Sequence, residues 1–137
     1  MRRLAPCLVA CGLTLTVSQG LAKRTPQTQY DLNMEADHSL RTAEQQMATV
    51  FNQLRTRASA NPAALALLDK AQLAWAAYRD AQLDVMWPSP DKQANYGTVF
   101  PMCFSQARAE LTNRRTAELK LMLTRDEGDV CGNAYPD

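Results

Sequence analysis

The chain is 137 residues long, has a formal net charge of +1 and contains four cysteines. This length predicts one domain with one modest hydrophobic core. The nearly balanced charge argues against a nucleic-acid-binding protein, because no basic patch dominates the sequence.

The first 22 residues resemble a signal peptide of the Sec pathway. Arg2 and Arg3 supply a positive start, residues 4–17 form an apolar run, and Gly20 and Ala22 provide the small residues of a cleavage site. The apolar run is shorter than the ~20 residues that a membrane-spanning helix needs. We therefore expect cleavage after Ala22 and a periplasmic or secreted protein. Its remaining 13 basic and 14 acidic residues give a net charge of −1.

A second interpretation of the N-terminus starts from residues 8–11, which resemble a lipobox. Cleavage there would leave Cys11 as a lipidated N-terminus and would anchor the protein at a membrane. Only about six apolar or small residues precede that position, fewer than the ~7–15 of a signal core, so this interpretation ranks second. Without a lipid on Cys11, we expect no contact with a membrane.

Residues 23–30 are polar and are predicted to form a flexible leader. A helix of about 26 residues is expected to follow, with Asp31 or Asn33 as its N-cap. Its apolar residues recur at intervals of three and four, which is typical of a helix with one buried face: Leu40, Ala43, Met47, Val50 and Leu54.

A second helix is predicted from Pro62 to Met86 or Trp87, because no glycine or proline interrupts it and alanine and leucine dominate. One stripe at helical spacing is wholly apolar and is expected to face the core: Ala64, Leu67, Ala71, Ala74, Tyr78, Ala81 and Val85. The neighbouring stripe is mixed and is expected at the edge of the buried surface: Leu65, Leu68, Gln72, Trp75, Arg79, Gln82 and Met86.

Residues 88–101 contain three prolines and one glycine and are predicted to form a long irregular loop. A third helix is predicted from Met102 to Leu123 or Arg125, and residues 126–137 form an acidic tail. The sequence therefore predicts an all-α domain over residues 31–125, built as an antiparallel bundle of three long helices.

Cys103 and Cys131 remain after cleavage, and an oxidising compartment would allow a disulfide between them. A helix from Cys103 to Leu123 spans about 30 Å, and the residues that follow it reach back at most ~27 Å. The bridge therefore requires a tail that doubles back almost fully extended, and the sequence leaves it open.

The predicted helices carry several short motifs. The second helix contains AQ-x-x-W-x-x-YRDA from Ala71 to Ala81, and the third contains LTNRRTAEL from Leu111 to Leu119. Together with residues 30–36 and 97–102, these motifs resemble the LprI-like family of bacterial lysozyme-inhibitor proteins over residues 28–119. The resemblance singles out Gln72, Trp75, Tyr78, Arg79, Asp80, Thr112, Arg115 and Glu118.

The family pattern carries cysteines at three positions that are Glu35, Leu83 and Ala107 in this chain. The resemblance therefore implies the family's fold without its disulfide framework. An inhibitor needs a rigid contact surface, because ordering loose loops subtracts from affinity. The departure consequently bears on function more than on the fold.

We interpret the charged motif residues as structural rather than catalytic. Arg79 and Arg115 lie beside apolar stripes, where an unpaired guanidinium costs several kcal/mol. Asp80 and Glu118 are the carboxylates expected to pair with them. Trp75 is likewise interpreted as a core side chain.

No pattern typical of an enzyme occurs in the sequence. His38 is the only histidine and has no cysteine or histidine at ligand spacing, which argues against a metal site. The five glycines are scattered and form no phosphate-binding loop. We expect no cofactor.

The resemblance implies a protein that binds a c-type lysozyme and inhibits it by occlusion. Such lysozymes are basic, so contact residues are expected to supply an acidic rim and a probing polar or basic group. The candidates are Trp87, Asp91, Lys92, Asp126, Glu127 and Asp129. The alternative is an envelope adaptor module that uses the same helical scaffold without binding lysozyme.

Overall fold

The computed structural model describes residues 27–124, Cys131 and residues 134–136. These residues form the helices α1 (Gln29–Arg57), α2 (Pro62–Met86), α3 (Lys92–Tyr96) and α4 (Phe100–Leu123), with a 3-10 turn at Gly97–Val99 between α3 and α4. No strand occurs among them, which confirms the all-α prediction. The predicted signal peptide, half of the leader (residues 23–26) and most of the acidic tail lie outside the described residues.

The three long helices run up, down and up, so α1 and α4 are parallel and α2 is antiparallel to both. Contacts along α1 show this order. Asn33 Nδ2 donates to the carbonyl of Thr98 just before α4, at 3.1 Å. Near the other end of α1, Arg57 donates to the carbonyl of Leu123 at 2.9 Å.

The N-cap of α1 is Thr28, not Asp31 or Asn33 as the sequence suggested. The Thr28 hydroxyl accepts from the Asp31 amide at 3.2 Å, and the Asp31 carboxylate accepts from the Thr28 hydroxyl and amide at 2.7 and 2.9 Å. This reciprocal capping box satisfies N–H groups that the first helical turn leaves without partners. It begins the helix at Gln29, inside the segment predicted to be a flexible leader.

The capping box also changes the acidity of Asp31. The hydrogen bonds from the Thr28 side chain, and then from its backbone, lower the pKa of the Asp31 carboxyl below its ordinary value. Because the folded pKa lies below the unfolded one, the ionised carboxylate stabilises the fold at and above the unfolded pKa. That contribution is lost as the pH falls through the folded pKa.

We predict that Thr28→Ala raises the pKa of Asp31 towards its ordinary value of 3.8, because both the stronger hydrogen bond and the helix cap are removed. Carbon-detected NMR titration of the Asp31 carboxyl measures this. Thr42→Ala is the control, since the Thr42 hydroxyl bonds only to the His38 carbonyl. An unchanged Asp31 pKa in Thr28→Ala would show that the box does not form in solution.

The closest helix pair is α1 and α4. Small side chains are buried on both helices, which lets the two backbones approach: Ala36 and Ala43 on α1, and Ser105, Ala109, Thr112 and Thr116 on α4. The buried hydroxyls of Thr112 and Thr116 donate to carbonyls one turn earlier, at 2.8 and 2.9 Å, and so are satisfied within α4.

Larger apolar side chains collect at the end of the bundle where α1 and α4 finish. Val50, Leu54, Leu68 and Leu119 are buried there. Tyr135 closes this cluster from the tail, and its hydroxyl donates to the Leu54 carbonyl at 3.2 Å. The largest apolar cluster therefore lies at one end, and small buried residues line the rest of the α1–α4 contact, whereas Leu83 of α2 is buried apart from that cluster.

The predicted buried face of α2 is wrong. The wholly apolar stripe is mostly exposed, with Leu67 at 67%, Tyr78 at 58% and Val85 at 73%. The mixed stripe, displaced by one residue, faces the other helices, and Leu68 and Arg79 are buried. Because α2 lies further from α4 than α1 does, long side chains are needed to fill the gap, and alanines would leave it empty.

The segment after α2 is less irregular than predicted, because α3 and the 3-10 turn lie within it. Asp91 caps α3, with its carboxylate accepting from the Ala94 amide at 3.0 Å. The Tyr96 hydroxyl accepts from the Ser89 amide at 3.0 Å and ties the segment together. Gly97 has φ +68° between α3 and the turn, a conformation that favours glycine.

No disulfide joins Cys103 and Cys131 in this structure. Cys103 lies in the first turn of α4. Tyr135, four residues after Cys131, packs at the opposite end of the bundle. Four extended residues reach at most ~14 Å, about half the length of α4. The tail therefore does not return to Cys103.

We predict that Ala43→Leu destabilises the fold by about 1–3 kcal/mol, because the added side chain must separate α1 from α4. Ala43 is 3% exposed. Ala48→Leu is the matched control, since Ala48 lies on the exposed side of the same helix. Chemical denaturation of both variants tests this. Equal stabilities would mean that small residues do not limit the approach of α1 and α4.

Candidate functional site

Six of the motif residues form a polar layer along α2, in two groups around Gln72 and Arg79. Gln72 of α2 is central to it. Its Nε2 donates to the Met47 sulfur of α1 at 3.5 Å, and its Oε1 accepts from Arg115 Nε of α4 at 3.2 Å. One amide therefore connects all three helices. We call this arrangement the Gln72 bridge.

Arg115 extends the Gln72 bridge along α4. Its Nη1 donates to Glu118 at 2.9 Å, one turn further on, so the expected ion pair is present. The Arg115 side chain is only 14% exposed, whereas Glu118 is open to water. Arg115 thus holds its charge at the rim of the core with one neutral and one charged partner.

Arg79 forms the second half of the polar layer. Its guanidinium carbon lies 5.1 Å from the centre of the Trp75 ring. Both Nε and Nη2 donate to one carboxylate oxygen of Asp80, at 2.8 and 2.7 Å. The buried Arg79 cation is stabilised in two ways. The face of the Trp75 ring attracts it through the ring's quadrupole, and the Asp80 carboxylate attracts it through its negative charge.

Two motif residues lie apart from this layer. Thr112 is fully buried on α4, whereas Tyr78 is exposed on the outer side of α2. The motif therefore does not form one cleft of converging polar groups. Among its described contacts, those of Gln72 with Met47 and Arg115 join α2 to the α1–α4 pair, whereas those of Arg79 lie within α2.

Trp87, predicted from the sequence as a contact residue, is less exposed than that role requires. It is half-buried, with its ring centre 5.7 Å from that of Phe100, edge to face, and 5.9 Å from that of Phe104. Phe100 also contacts Tyr96, at 5.7 Å between ring centres. This aromatic cluster packs the end of α2 and α3 onto the start of α4.

The other predicted contact residues are partly described. Asp91 is exposed and caps α3. The Lys92 ammonium donates to the Trp87 carbonyl at 2.8 Å and to Asp84 at 3.1 Å. Asp126, Glu127 and Asp129 lie outside the described residues.

Charge is divided between the two ends of the bundle, a feature that the candidate list missed. We define the acidic end as residues 29–40 and 80–104, and the basic end as residues 48–72 and 112–124. The acidic end carries Asp31, Glu35, Asp37, Asp80, Asp84 and Asp91, with Lys92 and His38 as its basic residues. The basic end carries Arg55, Arg57, Lys70, Arg114, Arg115 and Lys120, with Asp69 and Glu118 as its acidic residues.

Ion pairs offset part of this division. Asp37 pairs with Arg41, and Asp80 pairs with Arg79. Asp84 pairs with Lys92, so the remaining negative charge of the acidic end falls on Asp31, Glu35 and Asp91. This division of charge could have been predicted from the sequence, because antiparallel helices bring the first turns of α1 beside the loop after α2.

An apolar cleft of about 490 Å³ lies between the start of α2, the end of α4 and the tail. Leu67, Ala71, Met122 and Tyr135 line it, and Arg115 contributes the charged group. Within the described ranges, no group of three or more His, Cys, Asp and Glu residues is placed to hold a metal ion. None of the described helices is long and apolar enough to cross a membrane.

These contacts define a helical scaffold, and comparison with known proteins assigns it to a family. The model of the lysozyme inhibitor LprI family matches residues 22–119. This chain therefore belongs to the LprI family, whose members are described as inhibitors. It is 34% identical over 115 residues to an uncharacterized protein of Rhizobium meliloti (strain 1021), which covers 76% of this chain and 80% of that protein. No solved structure matches the chain.

We predict that Arg115→Ala destabilises the fold by about 1–2 kcal/mol, because it removes the link to the Gln72 bridge and the packing of the Arg115 stem. The neighbouring Arg114→Ala is the matched control. Arg114 is 67% exposed and pairs only with Glu110 on the same helix, so its loss is expected to change stability by less than about 0.5 kcal/mol. Denaturant titration compares the two. Equal effects would remove the structural role of Arg115.

Proposed function

We propose that this protein is an exported inhibitor of c-type lysozyme that acts by covering the enzyme. The family match over residues 22–119 carries the proposal. The acidic end is the surface that we assign to the enzyme. The protein contributes a binding surface rather than a reaction.

Charge supports the choice of the acidic end. Lysozymes of this type are basic, and opposite surface charge speeds the encounter of two proteins and orients it. Glu35, Asp84 and Asp91 all have exposed side chains at this end. Lys92 projects among them as a basic group that is held by Asp84 and the Trp87 carbonyl.

Rigidity supports the same surface. The positions where the family has cysteines are occupied by Glu35, Leu83 and Ala107, and Leu83 is buried. The aromatic cluster and the capped helix α3 hold the acidic end without a disulfide. Because these contacts are formed in the folded chain, little ordering is left to oppose binding.

Export is part of the proposal. The family match begins at residue 22, where the signal peptide is expected to end. A periplasmic or secreted location follows from cleavage after Ala22, and a lipid on Cys11 is the alternative. Labelling with a radioactive fatty acid in cells separates the two, because only the lipoprotein incorporates it.

We predict that replacing Glu35, Asp84 and Asp91 together with Gln, Asn and Asn weakens lysozyme inhibition by about 10-fold at low salt, because the attraction to the basic enzyme is reduced. Asn at position 91 keeps the cap of α3. Inhibition of lysis of bacterial cell walls by the full chain measures the effect.

The control carries the same change of charge elsewhere: Asp69→Asn, Glu110→Gln and Glu118→Gln. It is expected to inhibit like the unaltered chain. A third variant neutralises Asp126, Glu127 and Asp129 and measures the contribution of the tail. Unchanged inhibition in the first variant would reject the acidic end as the contact surface.

An envelope adaptor is the second candidate function. The exposed apolar side of α2 favours it, because large apolar residues there are open to water. An adaptor that uses this side would bind its partner with little dependence on salt. A lysozyme inhibitor that uses the acidic end would bind more slowly as salt rises.

A further inference from the structure

One exposed side of α2 is an apolar helix face, whose first residues, Leu67 and Ala71, border the cleft beside the end of α4. We define the α2 apolar face as Leu67, Ala71, Ala74, Tyr78, Ala81 and Val85. All six have exposed side chains. A run of apolar side chains along 19 residues of one helix is unlike the scattered apolar residues of an ordinary surface.

We propose that the α2 apolar face is the contact between two copies of this chain, with the two α2 helices antiparallel. The six residues are spaced by four, three, four, three and four positions. This order is the same in both directions, so an antiparallel copy presents a matching stripe. The contact is a two-fold interface in which each residue contributes twice.

The sizes of the side chains are complementary in this arrangement. Leu67 faces Val85 of the second copy, and Ala71 faces Ala81. Ala74 faces Tyr78, so the small residue leaves room for the ring. Two Ala74–Tyr78 pairs form, one on each side of the two-fold axis. Large and small side chains therefore face each other in the interface.

Charge complementarity identifies a second copy as the occupant. Lys70 and Asp84 flank the α2 apolar face on the same side, with Ala77 midway between them. In an antiparallel pair, Ala77 lies near the two-fold axis and Lys70 faces Asp84 of the second copy. Asp84 is 74% exposed in its contact with Lys92, which leaves its carboxylate accessible to Lys70.

The division of charge between the ends sets the direction. An antiparallel pair places the acidic end of each copy beside the basic end of the other. A parallel pair would bring the two acidic ends together, and likewise the two basic ends. Like charges in that position repel, so the antiparallel direction is favoured.

Sedimentation velocity of the full chain, from about 2 to 200 µM, tests the proposal. We expect a dimer whose fraction rises with concentration. Tyr78→Glu is expected to raise the dimer dissociation constant at least ~30-fold, since it places two carboxylates in an apolar contact. The matched control is Ala48→Glu on the exposed side of α1, which is expected to leave dimerisation unchanged.

Charge reversal tests the direction without altering the apolar residues. Lys70→Glu alone is expected to weaken the dimer about 5-fold, and adding Asp84→Lys is expected to restore it, because the pair is re-formed with opposite signs. Lys120→Glu makes the same change of charge at the basic end but outside the face, and is expected to weaken the dimer much less than Lys70→Glu. Circular dichroism shows that each variant remains helical.

Three results would overturn the proposal. The chain could remain a monomer at 200 µM, the dimer could be unaffected by Tyr78→Glu, or the double reversal could fail to restore association. A monomer whose inhibition of lysozyme is lost in Tyr78→Glu would assign the face to the enzyme instead of a second copy.

Discussion

The rest of the structure depends on the close contact of α1 with α4 through small side chains. Ala43 and Ala109 can lie between the two backbones because they occupy little volume. The two helices therefore form a tight parallel pair, and α2 has to pack on a surface that is already closed. The axis of α2 therefore lies further from the α1–α4 pair, and long side chains of α2 span the distance between them.

This constraint explains why the motif residues are large and polar. Gln72 extends from α2 across the wider gap to Met47 of α1, and Arg115 meets it from α4. Their hydrogen bonds are directional, so they set the rotation of α2 as well as its position. An apolar filler of the same size would bury as much surface without selecting one rotation.

The helices could be predicted from the sequence, but the face of α2 could not. Residue spacing located the three long helices and the break at Pro62, because proline and helical periodicity act locally. The rotation of α2 depends on how closely α1 and α4 approach, which is a tertiary property. The apolar stripe containing Leu67 therefore suggested a core face, although its neighbour containing Leu68 is the buried one.

The site was predicted unevenly for a similar reason. The partners of Arg79 and Arg115 were evident because each carboxylate lies within one turn. Trp87 was misplaced because Phe100 and Phe104 reach it only after the chain folds back through α3. The acidic end was missed because its charges come from α1, α2 and the segment after α2, which folding brings together.

Family membership and the division of charge lead to one central claim, that the acidic end meets a basic lysozyme. The most direct test is the association rate of the full chain with a c-type lysozyme, followed by surface plasmon resonance as salt is raised from about 20 to 500 mM. The account predicts binding with an association rate that falls at least ~10-fold over this range. Binding at a constant rate, or no binding at tens of micromolar, would contradict it.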